Sequence, residues 1–296
     1  MAGKTGRIFT TIIIIILIIG GIAYALLHIA NKKAEEEARV QLDTTISNNG
    51  LTDYVSYENI DIDIASGKVK ITQVEFKSPE GVLLLLADEL YLDVSTAEVA
   101  SLAMNPETGT LSRGQFGASN LTLSTMDRSF TTEISSFEID FNGDLDQRVF
   151  EGDISALFQD ENSFKIDIDN ALLNFDEALI AEFEFFLEGM DFEAFTNELA
   201  VKSFTLDLET APGGLKLNSI AMDSGMLEAA GSGTLILNEM MGIVSAVGQL
   251  KVDKISSGLK ESISPVLELM GYSIPEGPFN VIFKLPEDGT FELFIN

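Results

Sequence analysis

The residues that most resemble a metal site lie in the segment DFNGDLDQRVFE, at positions 140–151. Three oxygen-bearing side chains occupy the first, third and fifth positions of a calcium-loop spacing: Asp140, Asn142 and Asp144. Calcium loops bend sharply at a glycine in the sixth position, where this chain has Leu145. Asn142-Gly143 between two alternating apolar runs is typical of a hairpin turn. The segment therefore predicts a turn, with a calcium site as the weaker alternative.

A nucleophile candidate is Ser257-Gly258-Leu259-Lys260, which fits the S-x-x-K spacing of serine nucleophiles that are activated by a lysine. The same residues open a run with helical periodicity, so Ser257 also fits a helix start and Lys260 a solvated side chain. The chain has no Cys, and His28 is its only His. Thiolate metal sites and most His-based triads are thereby excluded. We expect a non-enzymatic protein without a cofactor.

A short pattern recurs along the chain, as SFEIDF at 136–141, SFKIDI at 163–168 and SFTLDL at 203–208. Apolar residues at every second position predict strands with one buried face. The aspartates of the pattern then point outward, because they stand between the apolar positions: Asp140, Asp167 and Asp207. The repeat indicates a repeated strand and not a repeated ligand.

Two clusters are more apolar than an alternating strand requires. One is the run Leu83 to Leu86, and the other is the Phe-rich stretch that contains Phe183 and Phe185. They fit either an aromatic and aliphatic core or the wall of a groove for acyl chains. The candidate lipid-facing residues are Leu83, Leu84, Leu85, Leu86, Phe137, Ile139, Phe141, Phe164, Ile166, Phe183, Phe185, Phe204 and Leu206.

Alternating runs with turn residues between them continue from residue 51 to the end of the chain. Such runs predict a mostly β fold, an extended antiparallel twisted sheet that forms a partly open barrel or groove. In KVKITQVEF the alternation slips by one residue near Gln73, which predicts a bulge. Helical periodicity marks residues 95–104 and 255–271, the latter as a plug over an open end of the sheet. Residues 239–248 fit either a helix or a strand.

The amino-terminal segment Ile8 to Ala30 is apolar throughout and has no Asp, Glu, Lys or Arg. This length suits one helical crossing of a hydrocarbon core of about 30 Å. Ala23-Tyr24-Ala25 also fits a signal-peptide cleavage site, but the apolar run continues beyond it. We therefore predict three parts: a transmembrane signal-anchor (1–30), a helical stalk (31–50) and an acidic, exported β-rich domain (51–296).

The charge of the chain is strongly negative, with 47 Asp and Glu against 18 Lys and Arg and a formal net charge of −29. A body of this charge repels polyanions, because their binding relies on clustered Lys and Arg. Nucleic acid is therefore excluded as a partner. The membrane is the expected partner of Ile8 to Ala30, with phospholipid or a larger membrane complex as further expected partners.

Two segments resemble a known architecture: residues 54–95, with strand, glycine turn and strand, and residues 231–252, with G-x-G-x-L-x-L from Gly231 to Leu237. Together with the anchor and stalk, they resemble the AsmA-like and YdgA-type envelope proteins of Gram-negative bacteria. The resemblance implies a single-pass inner-membrane protein with its body in the periplasm and a role in envelope lipid homeostasis or transport. The alternative is a structural or adaptor subunit that packs against a larger membrane complex.

Overall fold

The computed structural model describes residues 39–40, 42–44, 46–47, 50–63, 66–78, 81–96, 111–145, 160–176, 200–238, 243–269, 271–286, 289 and 291–296. The predicted anchor, Ile8 to Ala30, lies outside these residues. Among the described residues we find no helix with the length and hydropathy that a membrane crossing requires.

One antiparallel sheet of thirteen strands contains most of the described chain. The strands follow one another as a meander, except that β1 and β2 both pair with β3. This confirms the predicted mostly β, antiparallel fold. The strands are β1 (Val55–Ser56), β2 (Asn59–Asp63), β3 (Lys68–Lys77), β4 (Leu83–Val94), β5 (Leu111–Thr125), β6 (Phe130–Leu145), β7 (Asn162–Phe175), β8 (Val201–Ala211), β9 (Gly214–Ser224), β10 (Leu227–Leu237), β11 (Ile243–Ile255), β12 (Phe279–Leu285) and β13 (Glu292–Ile295).

The predicted hairpin turn at Asn142-Gly143 is wrong, because both residues lie within β6 and Asn142 pairs with Ser163 of β7. Gly143 has φ +151°, and the side chain of Asn162 occupies the space that a Cβ at residue 143 would need. The glycine thus permits a close approach between two paired strands. Asn-Gly favours a two-residue turn only where the flanking strands end, and here their pairing continues.

Two helical regions with more than one described residue are present, and Thr96, within the predicted 95–104 helix, is helical as well. Residues within 39–47 form helix α1, and Ser257–Leu269 form helix α2, which confirms the helix predicted at 255–271. Ser256 caps α2, since its Oγ accepts a hydrogen bond of 3.2 Å from the amide of Leu259. No residue of α2 is buried, and Leu269 is 90% exposed, so α2 does not plug the sheet. Residues 243–248 lie in β11, which confirms the strand alternative there, whereas residues 97–104 lie outside the described chain.

The fully buried apolar residues concentrate near the two ends of the sheet. At the amino-terminal end, Leu42 and Ile46 of α1 pack against β2, β3 and β4 in a cluster that includes Ile60, Ile71 and Leu90. At the carboxyl-terminal end, Ala229, Val252 and Phe279 form a second cluster on β10, β11 and β12. Leu42 and Ile46 of the predicted stalk therefore belong to the packed core.

Candidate functional site

The recurring SFxxDx strands align so that their apolar residues share one side of the sheet, which we call the apolar face. Phe137 of β6 pairs with Ile168 of β7, and Ile168 pairs with Phe204 of β8. Directly paired residues of an antiparallel sheet point to the same side. Two parallel rows complete the pattern: Ile139–Ile166–Leu206 and Phe141–Phe164–Leu208. The register thus brings together Phe137, Ile139, Phe141, Phe164, Ile166, Phe204 and Leu206, all predicted from sequence.

Burial of the apolar face differs along the sheet. On β3 and β4 its side chains are buried, as in Ile71 and Leu90. On β7, β8 and β9 no apolar side chain is buried, although all three strands are fully described. The buried residues on these strands are polar instead: Asn162, Thr210 and Ser224. A broad, half-buried apolar surface therefore lies across the middle of the sheet, over strands β7 to β9.

The four consecutive leucines predicted as a lipid-facing group divide between the two sides of β4. Leu83 and Leu85 are buried on the apolar face, whereas Leu84 is half-buried and Leu86 is 37% exposed on the opposite side. A strand places successive side chains on opposite faces, so the run cannot form a single surface. The other predicted cluster, with Phe183 and Phe185, lies outside the described residues.

The opposite side of the sheet, which we call the polar back, holds the aspartates of the repeat. Asp140 and Asp207 pair on either side of Lys165, and Asp167 forms an ion pair with the same lysine. This hydrogen-bonded ion pair with Asp167 raises the pKa of the Lys165 ammonium. Asp167 is thus paired with a lysine on the polar back, and the three aspartates make that side polar, as the alternation predicts.

A tyrosine reaches across two strands of the polar back. The ring of Tyr91 (β4) lies over Gly117 (β5), and its hydroxyl donates a hydrogen bond to Glu138 on β6. A Cβ at residue 117 would overlap Cζ of Tyr91, so a larger residue there would have to displace the ring. Burial, and then the hydrogen bond to Glu138, raise the pKa of the Tyr91 hydroxyl above its ordinary range.

The calcium candidates do not form a loop. Asp140 and Asn142 lie in extended strand β6, and Asp140 Oδ1 accepts a hydrogen bond of 3.0 Å from Gln115. An extended strand spaces alternate residues about 6.6 Å apart and does not curl their oxygens around one ion. Asp144 continues the same strand. Within the described part of the chain, no group of three His, Asp or Glu side chains is placed to hold a metal ion.

Ser257 and Lys260, the residues of the S-x-x-K pattern, lie in α2, where Lys260 has a structural role. Lys260 Nζ lies 3.4 Å from the carbonyl oxygen of Pro275 and 3.3 Å from a carboxylate oxygen of Glu276. A lysine that serves as a general base for a serine needs its amine directed at that hydroxyl. Here the ammonium instead ties α2 to the segment that follows it.

Two open clefts follow one end of the strands, with volumes of about 1070 and 680 Å³. Both include Ser112, Asn142 and Ser163 in their lining. The larger cleft mixes carboxylates with aromatic side chains, for example Asp140 with Phe141. Ligand sites for apolar molecules have mainly apolar walls, so the apolar face fits such a ligand better than either cleft.

The alternation identified most residues of the apolar face, but sequence reasoning missed two arrangements that depend on strand pairing. The Tyr91–Gly117–Glu138 contact is one, and a row of unusual backbone angles described below is the other. An isolated Gly within a strand, as at residue 117, was the available signal for the first. No protein-family model, curated protein or solved structure matches the chain.

Proposed function

We propose that the protein is a membrane-anchored, exported β-sheet protein that binds or shields lipid acyl chains on its apolar face. The supporting observation is the absence of any buried apolar side chain on β7, β8 and β9, although β7 and β8 carry the apolar repeat and Ile220 of β9 pairs with Leu206. Monomeric soluble proteins rarely leave contiguous apolar surface of this kind uncovered, and larger patches usually mark a binding site. Acyl chains suit a surface with apolar side chains in parallel rows.

The proposed location follows from the sequence. Ile8 to Ala30 would hold the chain in the inner membrane as a single-pass anchor, with the acidic body in the periplasm or otherwise outside the cytoplasm. The resemblance to AsmA-like and YdgA-type proteins supports a role in envelope lipid homeostasis or transport. The polar back also favours lipid binding on the apolar face, because the carboxylates of the back repel anionic head groups.

Photo-crosslinking tests the binding of acyl chains with an internal control. A benzophenone amino acid is placed at Ile166 on the apolar face or at Asp167, its neighbour on the polar back. The full-length protein is then irradiated with an alkyne-labelled fatty acid, and the adduct is measured by fluorescence after coupling to a dye. We expect at least a tenfold stronger adduct at residue 166 than at 167. Equal labelling, or no adduct at either residue, would contradict the proposal.

The second candidate function is a structural or adaptor subunit, and the carboxyl-terminal edge of the sheet favours it. β13 pairs only with β12 in the described chain, which leaves one side of β13 open. Phe294 on β13 is 46% exposed, and the neighbouring Phe291 is 54% exposed. Open edges with exposed aromatic side chains are suited to strand addition by a partner. A stoichiometric partner that co-purifies with the wild-type protein and is lost with Phe294→Lys would support this function.

A further inference from the structure

Three residues within strands have left-handed backbone angles that side-chain-bearing residues rarely adopt. Gln73 on β3 has φ +51°, Asn120 on β5 has φ +48°, and Asn170 on β7 has φ +51°. The other non-glycine residue with positive φ in the described chain, Arg128, lies in a turn. Left-handed angles in the interior of a strand require a structural explanation, because they interrupt the extended conformation.

The strand register places these three residues in one row across the sheet. Thr72 pairs with Glu89 and Val74 with Ala87, so Gln73 stands opposite Asp88. On β5, β6, β7 and β8 the flanking pairs likewise show which residue stands opposite the row on the next strand. The complete row is Gln73, Asp88, Asn120, Ser135, Asn170 and Lys202. It ends at β8, where a register shift between Val201 and Ser203 interrupts the pairing with β9.

Every strand in the row reverses its alternation at this position. On β4 the buried residues are Leu83, Leu85 and Ala87 before the row, but Leu90, Leu92 and Val94 after it. β3 changes in the same way between Ile71 and Val74. Between β3 and β4 the pairing keeps the same register on both sides of the row, so Gln73 is not the extra residue of the predicted bulge. On β3, β5 and β7 the reversal falls at a left-handed residue, so the apolar side chains stay on one face along the whole length of these three strands.

The reversal leaves two successive polar residues on the back of each strand, which we call the ridge. The ridge residues are Thr72–Gln73, Asp88–Glu89, Ser119–Asn120, Ser135–Ser136, Asp169–Asn170 and Lys202–Ser203. Asp88 connects three of these strands, since its carboxylate accepts hydrogen bonds from Gln73 (3.4 Å) and Asn120 (2.8 Å). Where two successive residues both point to the back, the back of the strand is longer than its apolar side. Such a strand bends so that its apolar side is concave.

We infer that this row is a crease that bends strands β3 to β8 and makes the apolar face concave, with Gln73, Asn120 and Asn170 as its shape-determining residues. The crease runs perpendicular to the strands, so the concavity extends along the sheet from β3 to β8. The crease would set the width of the acyl-chain site, and this role in ligand binding rests on the proposed function. Amide residues suit this role because Asn tolerates left-handed angles better than most residues do.

Spin-label distances test the bend directly, and the absence of Cys makes double labelling simple. Labels are placed at Ser112, near the start of β5, and at Met126, the first residue after its end; both are exposed and they flank Asn120. A straight strand would separate these two positions by about 46 Å, since each of fourteen steps spans about 3.3 Å. We expect the full-length wild-type protein to give a distance at least about 5 Å shorter, which corresponds to a bend of roughly 60°. A distance within error of the straight value would overturn the crease.

Matched substitutions test whether the left-handed residues cause the bend. Asn120→Gly and Asn170→Gly keep access to left-handed angles, whereas Asn120→Val and Asn170→Val disfavour them strongly. We expect the distance to stay short in the glycine variants and to lengthen in the valine variants that fold. Should the valine variants not fold, Asn120→Ala and Asn170→Ala replace them, because alanine also disfavours left-handed angles but is not β-branched. Unchanged distances in folded valine variants would overturn the assignment.

The same variants separate the crease from the proposed function. Adduct formation at Ile166 should fall at least fivefold in the folded valine variants and stay at the wild-type level in the glycine variants. If the wild-type protein forms no adduct while its strands are bent, the crease holds and the acyl-chain proposal fails. Equal adduct formation in folded valine and glycine variants would overturn the link between the crease and binding.

Discussion

The two regions of the apolar face differ in what covers them. Near the amino-terminal end, α1 inserts Leu42 and Ile46 against β2, β3 and β4, and Leu42 is only 2% exposed. Over β7, β8 and β9, residues of the same type and spacing, such as Ile166, remain half-buried. The strand pattern is the same in both regions. Alternation therefore decides which side chains share a face, and the cover decides whether that face becomes core.

Under the proposed function, this difference gives the apolar face two roles. Under α1 it stabilises the fold, because each buried aliphatic side chain contributes roughly 1.5–3 kcal/mol relative to exposure. On the open strands the same surface contributes less to folding and is accessible to a ligand. A substitution in one region should accordingly affect stability, and a substitution in the other should affect binding.

The largest expected effect is on the covered region. Leu42→Ala should lower the free energy of unfolding by about 2–5 kcal/mol, because it removes a fully buried side chain and leaves a cavity between α1 and the sheet. Ile166→Ala on the open strands should cost about 1 kcal/mol, since its side chain is only partly buried. Urea denaturation of both variants measures the difference. Equal losses would contradict the distinction between the two regions.

An intermediate effect is expected on the polar back, behind the strands that separate the two regions, where Tyr91 crosses Gly117. Gly117→Ala should displace the Tyr91 ring, break its hydrogen bond to Glu138 and lower the free energy of unfolding by about 1–3 kcal/mol. In a Tyr91→Ala background the same substitution should cost almost nothing, because no ring then occupies the space. A double-mutant cycle in urea measures this coupling. Additive losses would show that Gly117 acts through something other than Tyr91.

The smallest expected effect concerns the attachment of α1 to the edge of the sheet. The Tyr57 hydroxyl donates a hydrogen bond of 2.7 Å to Asp43, and burial together with this bond raises the pKa of Tyr57 to about 12. An unfolded tyrosine ionises near pH 10, so the stabilisation is complete below about pH 10 and falls as the pH rises towards 12.

Tyr57→Phe removes this pH-dependent contribution. Wild type should be the more stable of the two at pH 8, and its advantage should shrink at pH 11, where only the wild-type residue ionises on unfolding. Urea midpoints of both proteins at the two pH values measure the change. A constant advantage across this range would show that the Tyr57–Asp43 bond does not hold α1 in place.

Much of the fold and of the candidate site was predictable from local sequence. Period-two alternation identified the strands and the outward Asp140, Asp167 and Asp207, because side chains alternate in any extended segment. Local rules failed at Asn142-Gly143, where continued pairing with β7 overrides the turn preference. They also interpreted the slip at Gln73 as a single bulge, since one strand alone gives no indication that Asn120 and Asn170 lie in the same row.

The sequence by itself determined that this chain forms antiparallel strands with one apolar and one acidic side. It did so because side-chain alternation and turn residues act over a few neighbouring positions. Only the tertiary structure decided that α1 covers one part of the apolar face and leaves β7 to β9 open, and that three distant amide residues form one crease. Both depend on contacts between residues far apart in the chain, and no local pattern encodes how those residues come together.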